Sequence, residues 1–212
     1  MSTKKLSNFQ KAKLNNAGFE IVDYDAISID FLDFEAPKQI QNAIFTSQNA
    51  VRSIFDKNIQ IERAYCVGEK TKQLLKENGQ KVIKMKKNAS ELSEFIKKRG
   101  QNEVFYFFSG TRRRKEIPES FKNSKKTLFE VKTYQTVLNP VAFDQNWDGI
   151  LFFSPSGVQS YTQNNSIKNS IAFCIGVTTA SEAKKHTNSI FIAAKTTIES
   201  VIEKAISTLQ ND

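Results

Sequence analysis

The 212-residue sequence is poor in the residues that build disulfide frameworks and zinc sites, because it has two cysteines and a single histidine. Cys66 and Cys174 each lie in an apolar run, which predicts reduced cysteines in the core. His186 lies in the polar stretch EAKKHTN and is expected at the surface. No apolar run reaches the length of a membrane span and the first residues contain no apolar signal core, so we expect a cytoplasmic protein.

Motifs for nucleotide and hydrolytic chemistry are also missing. The sequence has neither a Walker phosphate loop nor the glycine fingerprint of dinucleotide-binding enzymes, which disfavours a nucleotide-dependent enzyme. No pair of carboxylates follows a predicted strand, so acid–base or metal-assisted hydrolysis has no support.

Positive charge is what the chain has in excess. It carries 31 lysines and arginines against 22 acidic residues, which gives a net charge of +9. Such a balance is compatible with nucleic acid, an acidic surface or a small polyanionic ligand as partner. Most lysines are scattered and only TRRRK (111–115) is dense, while RNP-type and zinc-finger motifs are absent, so nucleic acid is the weaker interpretation.

Apolar stretches alternate along the chain with helix-like stretches. The predicted strands include EIVDY (20–24), IERAYCVG (61–68), NEVFYFFSG (102–110), TLFEVKTYQTVL (127–138) and GILFF (149–153). Helix starts are predicted at Ser7, which forms a capping box with Gln10, and at Ser47, Ser90 and Thr197. Uninterrupted apolar strands between helices are typical of an α/β protein whose parallel sheets are covered on both faces.

An internal repeat divides the sequence into two similar halves. IFTSQNAV (44–51) recurs as LFFSPSGV (151–158), AYCVGEKT (64–71) recurs as AFCIGVTT (172–179), and VIKMKKNASELSEFI (82–96) resembles IFIAAKTTIESVIEKAI (190–206). Three matches in the same order predict two homologous α/β lobes, each with a parallel sheet flanked by helices. We expect a discontinuous lobe from residues 1–28 and 141–212 and a continuous lobe from residues 36–131. Residues 29–35 and 132–140 are expected to form a two-stranded antiparallel ladder that joins them.

Polar side chains gather where the predicted strands end and helices begin, the edge at which parallel sheets bind ligands. They are Thr46, Ser47, Asn49, Gly68, Thr71, Ser109, Gly110, Ser154, Ser156, Gly157, Gly176, Thr178 and Thr179. Hydroxyls and free backbone N–H groups at helix starts bind carboxylates or phosphates. The alternative is that Ser47, Ser154 and Ser156 only cap helices. With no histidine or lysine partner, Ser154 and Ser156 are poor nucleophiles.

Two further features are candidates for the same site. Arginine forks bind carboxylates in a bidentate manner, so Arg112, Arg113 or Arg114 could hold an anion; the alternative is a solvated helix face. Tyr134 lies on a predicted ladder strand and could face a cleft or simply pack within the sheet.

Taken in order, the motifs IFTSQNAV, VGEKT, FFSGTRRRKEIP, VKTYQT, FFSPSG and IGVTTA resemble those of the uroporphyrinogen-III synthase family. The resemblance spans the chain from Ile44 to its C-terminus. It implies two α/β lobes and a linear octacarboxylate substrate, hydroxymethylbilane. It also implies closure of the tetrapyrrole ring with inversion of ring D and loss of water, without cofactor or metal. Hand-over of the substrate from porphobilinogen deaminase and a monomeric protein are further expectations.

The resemblance also implies roles for individual residues. Tyr134 matches the family's cleft tyrosine, which is expected to help the hydroxyl group leave. Substrate binding is expected from Thr46, Ser47, Asn49, Thr71, Ser109, Gly110, Arg114, Ser154, Ser156, Gly157, Thr178 and Thr179, with much of the binding through backbone N–H groups. The N-terminus departs from the pattern, since only MST precedes Lys4 and Lys5 where the family has an apolar strand.

Two other functions stay open at this point. The first is an α/β module of the same shape that binds a polyanion without catalysis. The second, which the basic composition suggests, is a nucleic-acid-binding protein, whose affinity would fall steeply with salt.

Overall fold

The computed structural model describes residues 1–100, 102–122 and 124–210 of the chain. The elements in chain order are α1 (Asn8–Asn16), β1 (Ile27–Phe31), β2 (Gln39–Phe45), α2 (Gln48–Arg52), β3 (Gln60–Val67), α3 (Glu69–Glu77), β4 (Val82–Lys86), α4 (Ala89–Lys97), β5 (Val104–Gly110), α5 (Glu116–Lys122), β6 (Thr127–Leu138), β7 (Gly149–Phe152), α6 (Pro155–Asn164), β8 (Ile171–Cys174), α7 (Val177–Ala183), β9 (Ile190–Ile192) and α8 (Ile198–Leu209). The chain divides into two compact units, Met1–Ser28 with Val137–Asp212 (unit 1) and Ile29–Thr136 (unit 2). The helices of the described residues include none that is long and apolar enough to cross a membrane.

The larger sheet is mixed and has the strand order β1-β6-β5-β2-β3-β4. Strands β2 to β6 pair in parallel. Strand β1 runs against β6, because the N–H of Leu32 donates to the carbonyl of Thr133 while the N–H of Asn139 donates to that of Ala26. The α/β class with parallel strands is therefore confirmed, and the antiparallel edge strand makes the sheet mixed.

The central strands of this sheet are buried on both faces, which explains their uninterrupted apolar runs. Neighbouring residues of a strand point to opposite faces. Phe45 packs on one face with Phe108, and their rings stack at 5.1 Å. Ile44 packs on the other face with Tyr65 and Phe107.

Unit 1 contains a parallel sheet of β7, β8 and β9. The predicted strand at residues 20–24 is wrong in extent, because only Asp23 forms a bridge, with Ser2. The physical reason is that its partner is very short. Ser2 lies between Asp23 and Leu151, and the chain then turns where the Asp23 carboxylate accepts from the N–H of Leu6 at 2.7 Å.

The two units repeat a strand–helix order with matching helix starts. Ser47 caps α2 and Thr197 caps α8, as predicted. Ser154 caps α6, the role that was weighed as the alternative for this residue. Helices α3 and α7 begin after Gly68 and Gly176.

One predicted helix cap is wrong. Asn88, not Ser90, caps α4, and its side-chain oxygen accepts from the N–H of Glu91 at 2.9 Å. Asparagine is as good a cap as serine, and of the two residues Asn88 lies nearer to the end of β4.

Candidate functional site

The end of β5, which lies beside Tyr134 of β6, carries the most distinctive geometry of unit 2. Ser109 pairs with Lys132 and Gly110 pairs with Tyr134, with a shift of register between the two pairs. An extra residue in one strand is a β-bulge, a device that re-aims side chains and is frequent beside active sites. The bulge sets the position of the Tyr134 side chain beside the end of β5.

The Tyr134 ring lies directly over Gly110. A Cβ atom on Gly110 would stand 2.7 Å from two carbons of the ring and 3.1 Å from its hydroxyl oxygen. Real Cβ atoms do not approach so closely, so the ring occupies this place only because residue 110 has no side chain.

A pocket of about 380 Å³ opens beside this tyrosine. It is lined by Thr46, Ser47, Val67, Lys87, Asn88, Ala89, Phe107, Gly110, Arg113, Arg114, Glu116, Ile117 and Tyr134. Five of these residues were predicted site residues, namely Thr46, Ser47, Gly110, Arg114 and Tyr134. Three cationic side chains and one carboxylate line the pocket, so it favours an anionic ligand.

Sequence reasoning did not assign Lys87 to the site, and it offered Arg113 only as one of three adjacent arginines, of which Arg114 was chosen. Lys87 follows the end of β4, so its place at the strand end was a usable signal. Arg113 lies beside Arg114 in a run of three arginines, and nothing in the amino-acid sequence shows which of them lines a pocket.

Arg113 is fixed by an ion pair that the sequence does not reveal. Its Nε and Nη2 donate to the two carboxylate oxygens of Glu130 at 2.5 and 2.8 Å. Lys132 Nζ donates to Glu130 at 3.0 Å and to the hydroxyl oxygen of Ser109 at 3.3 Å. The hydrogen bond from Arg113, with that from Lys132, holds the pKa of Glu130 below its ordinary value, so this carboxylate is ionised at neutral pH.

The remaining predicted residues of unit 2 do not line the pocket. Asn49 lies in α2, where its N–H donates to the Ser47 hydroxyl at 3.1 Å. Thr71 is buried in α3, and Ser109 is buried next to the pocket, where it accepts the bond from Lys132.

The predicted residues of unit 1 gather where β7 and β8 end. The Ser154 hydroxyl accepts from the N–H of Gly157 at 2.9 Å and so caps α6. Gly157 is buried, and a Cβ there would approach the hydroxyl oxygens of Ser154 and Thr3 to 3.3 and 3.4 Å. The Thr3 hydroxyl donates to the carbonyl of Leu151 at 2.8 Å, so the N-terminal segment belongs to this strand end.

The other residues of this set differ in exposure. Ser156 is half-buried in the first turn of α6, and Thr178 is exposed in the first turn of α7. Thr179 is buried, as is Thr71, and both are the third residue of their helix. Of the paired threonines, Thr178 therefore offers the accessible hydroxyl.

Neither cysteine is suited to nucleophilic chemistry. Both are free and buried, as predicted. Burial raises the pKa of Cys66 to about 11 and that of Cys174 to about 12, so both remain neutral thiols at physiological pH. His186 is exposed, also as predicted, and lies in the turn after α7. The described residues contain no group of three or more His, Cys, Asp or Glu that could hold a metal ion.

Comparison with known proteins decides the family. The family model "Uroporphyrinogen-III synthase HemD" matches residues 9–203. The chain belongs to the uroporphyrinogen-III synthase family. It is thus an enzyme of tetrapyrrole biosynthesis, a cyclising lyase, and the family implies hydroxymethylbilane as substrate. The resemblance inferred from the motifs is confirmed.

Solved structures of the same family share the fold. The uroporphyrinogen-III synthetase of Helicobacter pylori is 18% identical, with a TM-score of 0.67 over 88% of this chain and 92% of that one. A mutant uroporphyrinogen III synthase of the extremely thermophilic bacterium Thermus thermophilus is 12% identical, with a TM-score of 0.67 over 97% of this chain and 95% of that one. At such low identity the likeness shows the α/β fold alone. A comparison with curated protein sequences gave no match.

Proposed function

We propose that this chain closes hydroxymethylbilane into uroporphyrinogen III, with loss of one water molecule and inversion of ring D. The family match carries the proposal, because residues 9–203 include every candidate site residue. No resident cofactor or metal is proposed.

Substrate binding relies on positive charge and on donors at helix starts. The bilane is an octacarboxylate, and the pocket beside Tyr134 presents Lys87, Arg113 and Arg114. Backbone N–H groups and hydroxyls at the ends of β2, β5, β7 and β8 supply further donors. We assign them to substrate carboxylates as a set, without pairing individual groups.

Catalysis is proposed to be mainly positioning. The bilane loses hydroxide readily and cyclises unaided, but then without inversion. An enzyme that folds the chain so that the reacting carbons meet in the inverting geometry needs no strong nucleophile, only tighter binding of the correct transition state. This proposal accounts for a site of hydroxyls, cations and one tyrosine.

Tyr134 is proposed to donate a hydrogen bond to the departing hydroxyl group. Its ring is held over Gly110 by the register shift between β5 and β6, and it borders the cationic pocket. A phenol is a suitable donor here because its hydroxyl group carries one hydrogen that it can donate.

The finer organisation is also part of the proposal. We propose the discontinuous lobe (1–28 and 141–212), the continuous lobe (36–131) and the ladder (29–35 and 132–140) as functional parts of the synthase. The repeated order of strands, caps and helices supports this division. A cytoplasmic location, a monomeric state and hand-over from porphobilinogen deaminase stay predictions.

Product analysis tests the proposed function. Purified protein is added to a porphobilinogen deaminase reaction, the products are oxidised, and the uroporphyrin isomers are separated by chromatography. A shift from isomer I to isomer III is expected. Isomer I alone, from protein shown to be folded, would leave a polyanion-binding module of the same fold and would refute the synthase.

A further inference from the structure

Glu130 contacts a residue of the pocket without lining the pocket itself. It lies in β6, whereas Arg113, which does line the pocket, lies in the loop after β5. Their contact is bidentate, and the two side chains are only 22% (Arg113) and 28% (Glu130) exposed. A two-point contact of this kind fixes the plane of a guanidinium, which a single-point contact cannot do.

The mode of pairing leaves one edge of Arg113 available. Glu130 engages Nε and Nη2, so Nη1 keeps its hydrogens for another acceptor apart from a long contact of 3.5 Å to the carbonyl of Arg114. Nη1 and the second hydrogen of Nη2 form an outer edge with the fork geometry that suits a carboxylate.

We propose that Glu130 is a positioning residue of the synthase, which holds Arg113 so that the outer edge of its guanidinium receives a carboxylate of the bilane. The inference rests on the proposed function. The proposed positioning role of Glu130 extends to Ser109. The Glu130 carboxylate also holds Lys132, whose ammonium group donates to the Ser109 hydroxyl.

The benefit of such an arrangement is preorganisation. An arginine in a loop has many rotamers, and restricting them during binding weakens affinity. Glu130 restricts them before the substrate arrives. The β6 strand that carries Glu130 is paired with β5 along the register Phe107 to Glu130, so the carboxylate is held by the sheet.

For the removal of the Glu130 charge, an explanation by charge alone and the proposed positioning role predict opposite changes in KM. Arg113, Lys132 and Glu130 together carry one net positive charge, and Glu130→Gln would raise it by one. If the pocket attracted the polyanion by charge only, this substitution would lower KM. If Glu130 positions Arg113, KM rises although the site becomes more positive.

The experiment compares Glu130→Gln with a variant that has the same change of charge elsewhere. Glu94 is paired with Lys97 at 2.9 Å on α4 and does not line the pocket, so Glu94→Gln is the matched control. We expect Glu130→Gln to raise KM for the bilane roughly fivefold to tenfold with a much smaller change in kcat, and Glu94→Gln to leave both close to wild type. A KM for Glu130→Gln equal to or below that of Glu94→Gln would overturn the inference.

Arg113→Lys provides a second measurement that does not depend on Glu130→Gln folding well. It keeps the charge but removes the fork, and a similar rise in KM is expected. The double variant is expected to resemble either single variant, because both changes remove one interaction; additive effects would contradict this. Failure of the proposed function is distinguishable, since wild-type protein would then form no isomer III, whereas failure of this inference alone leaves wild-type activity intact.

Discussion

At the scale of single residues, the place of Tyr134 depends on the absence of a side chain at Gly110. Both residues were expected at the site, but the contact between them arises from the register shift between β5 and β6. The contact matters because a hydrogen-bond donor acts only within a few tenths of an ångström of its productive position.

Gly110→Ala is expected to reduce turnover with little loss of stability. The new Cβ would meet the outer part of the Tyr134 ring at 2.7 Å, and a ring at the end of a side chain can move aside. We predict that kcat falls roughly tenfold, while the free energy of unfolding falls by about 1 kcal/mol or less. Isomer III formation and urea unfolding measure the two quantities.

Gly100→Ala is the control, because a Cβ at Gly100 meets nothing within 4 Å. It should leave kcat unchanged. Wild-type turnover in Gly110→Ala would show that the position of the Tyr134 ring does not matter for the reaction.

At the scale of elements, a polar residue at a helix start can cap the helix, bind substrate or do both, and the sequence alone does not tell these roles apart. Ser154 caps α6 through the N–H of Gly157, and it is also proposed to bind substrate. Aspartate caps a helix as well as serine does, but it adds a negative charge beside the polyanion.

Ser154→Asp is therefore expected to keep stability and lose affinity. We predict an unfolding free energy within about 0.5 kcal/mol of wild type, with KM for the bilane raised roughly tenfold by charge repulsion. Thr197→Asp, at the cap of α8, adds the same charge at a residue that is not among the candidates and should raise KM much less. Equal KM values for the two variants would remove Ser154 from the binding site.

Elements built on apolar runs were predictable, whereas contacts between distant residues were not. The limits of β6 and the caps Ser47, Ser154 and Thr197 follow from local patterns. The strand at residues 20–24 failed because its length depends on a distant partner, Ser2. The pairing of Arg113 with Glu130 joins residues 17 positions apart on neighbouring segments, and only the register of β5 and β6 brings them together.

At the scale of the whole molecule, the net charge of +9 is a property that acts on substrate binding from a distance. Charged surfaces attract a polyanion over roughly a Debye length, which is about 10 Å at 0.1 M salt and shrinks as salt is added.

Salt is therefore expected to weaken binding more than chemistry. Raising sodium chloride from about 0.05 M to about 0.5 M should increase KM for the bilane several-fold while kcat changes little, because the reaction itself is driven by positioning. Unfolding measured at both salt concentrations serves as the control for intact structure. A KM that does not respond to salt would contradict an electrostatic contribution to binding.

The central claim is that the chain is a catalyst of ring inversion and does not merely bind the bilane. It is tested most directly by counting isomer III molecules formed per protein molecule, with the protein present at about one hundredth of the bilane concentration. The account predicts many turnovers per protein molecule and nearly complete conversion to isomer III. Isomer III that stops at about one molecule per protein, or an isomer ratio equal to that of the uncatalysed reaction, would contradict it.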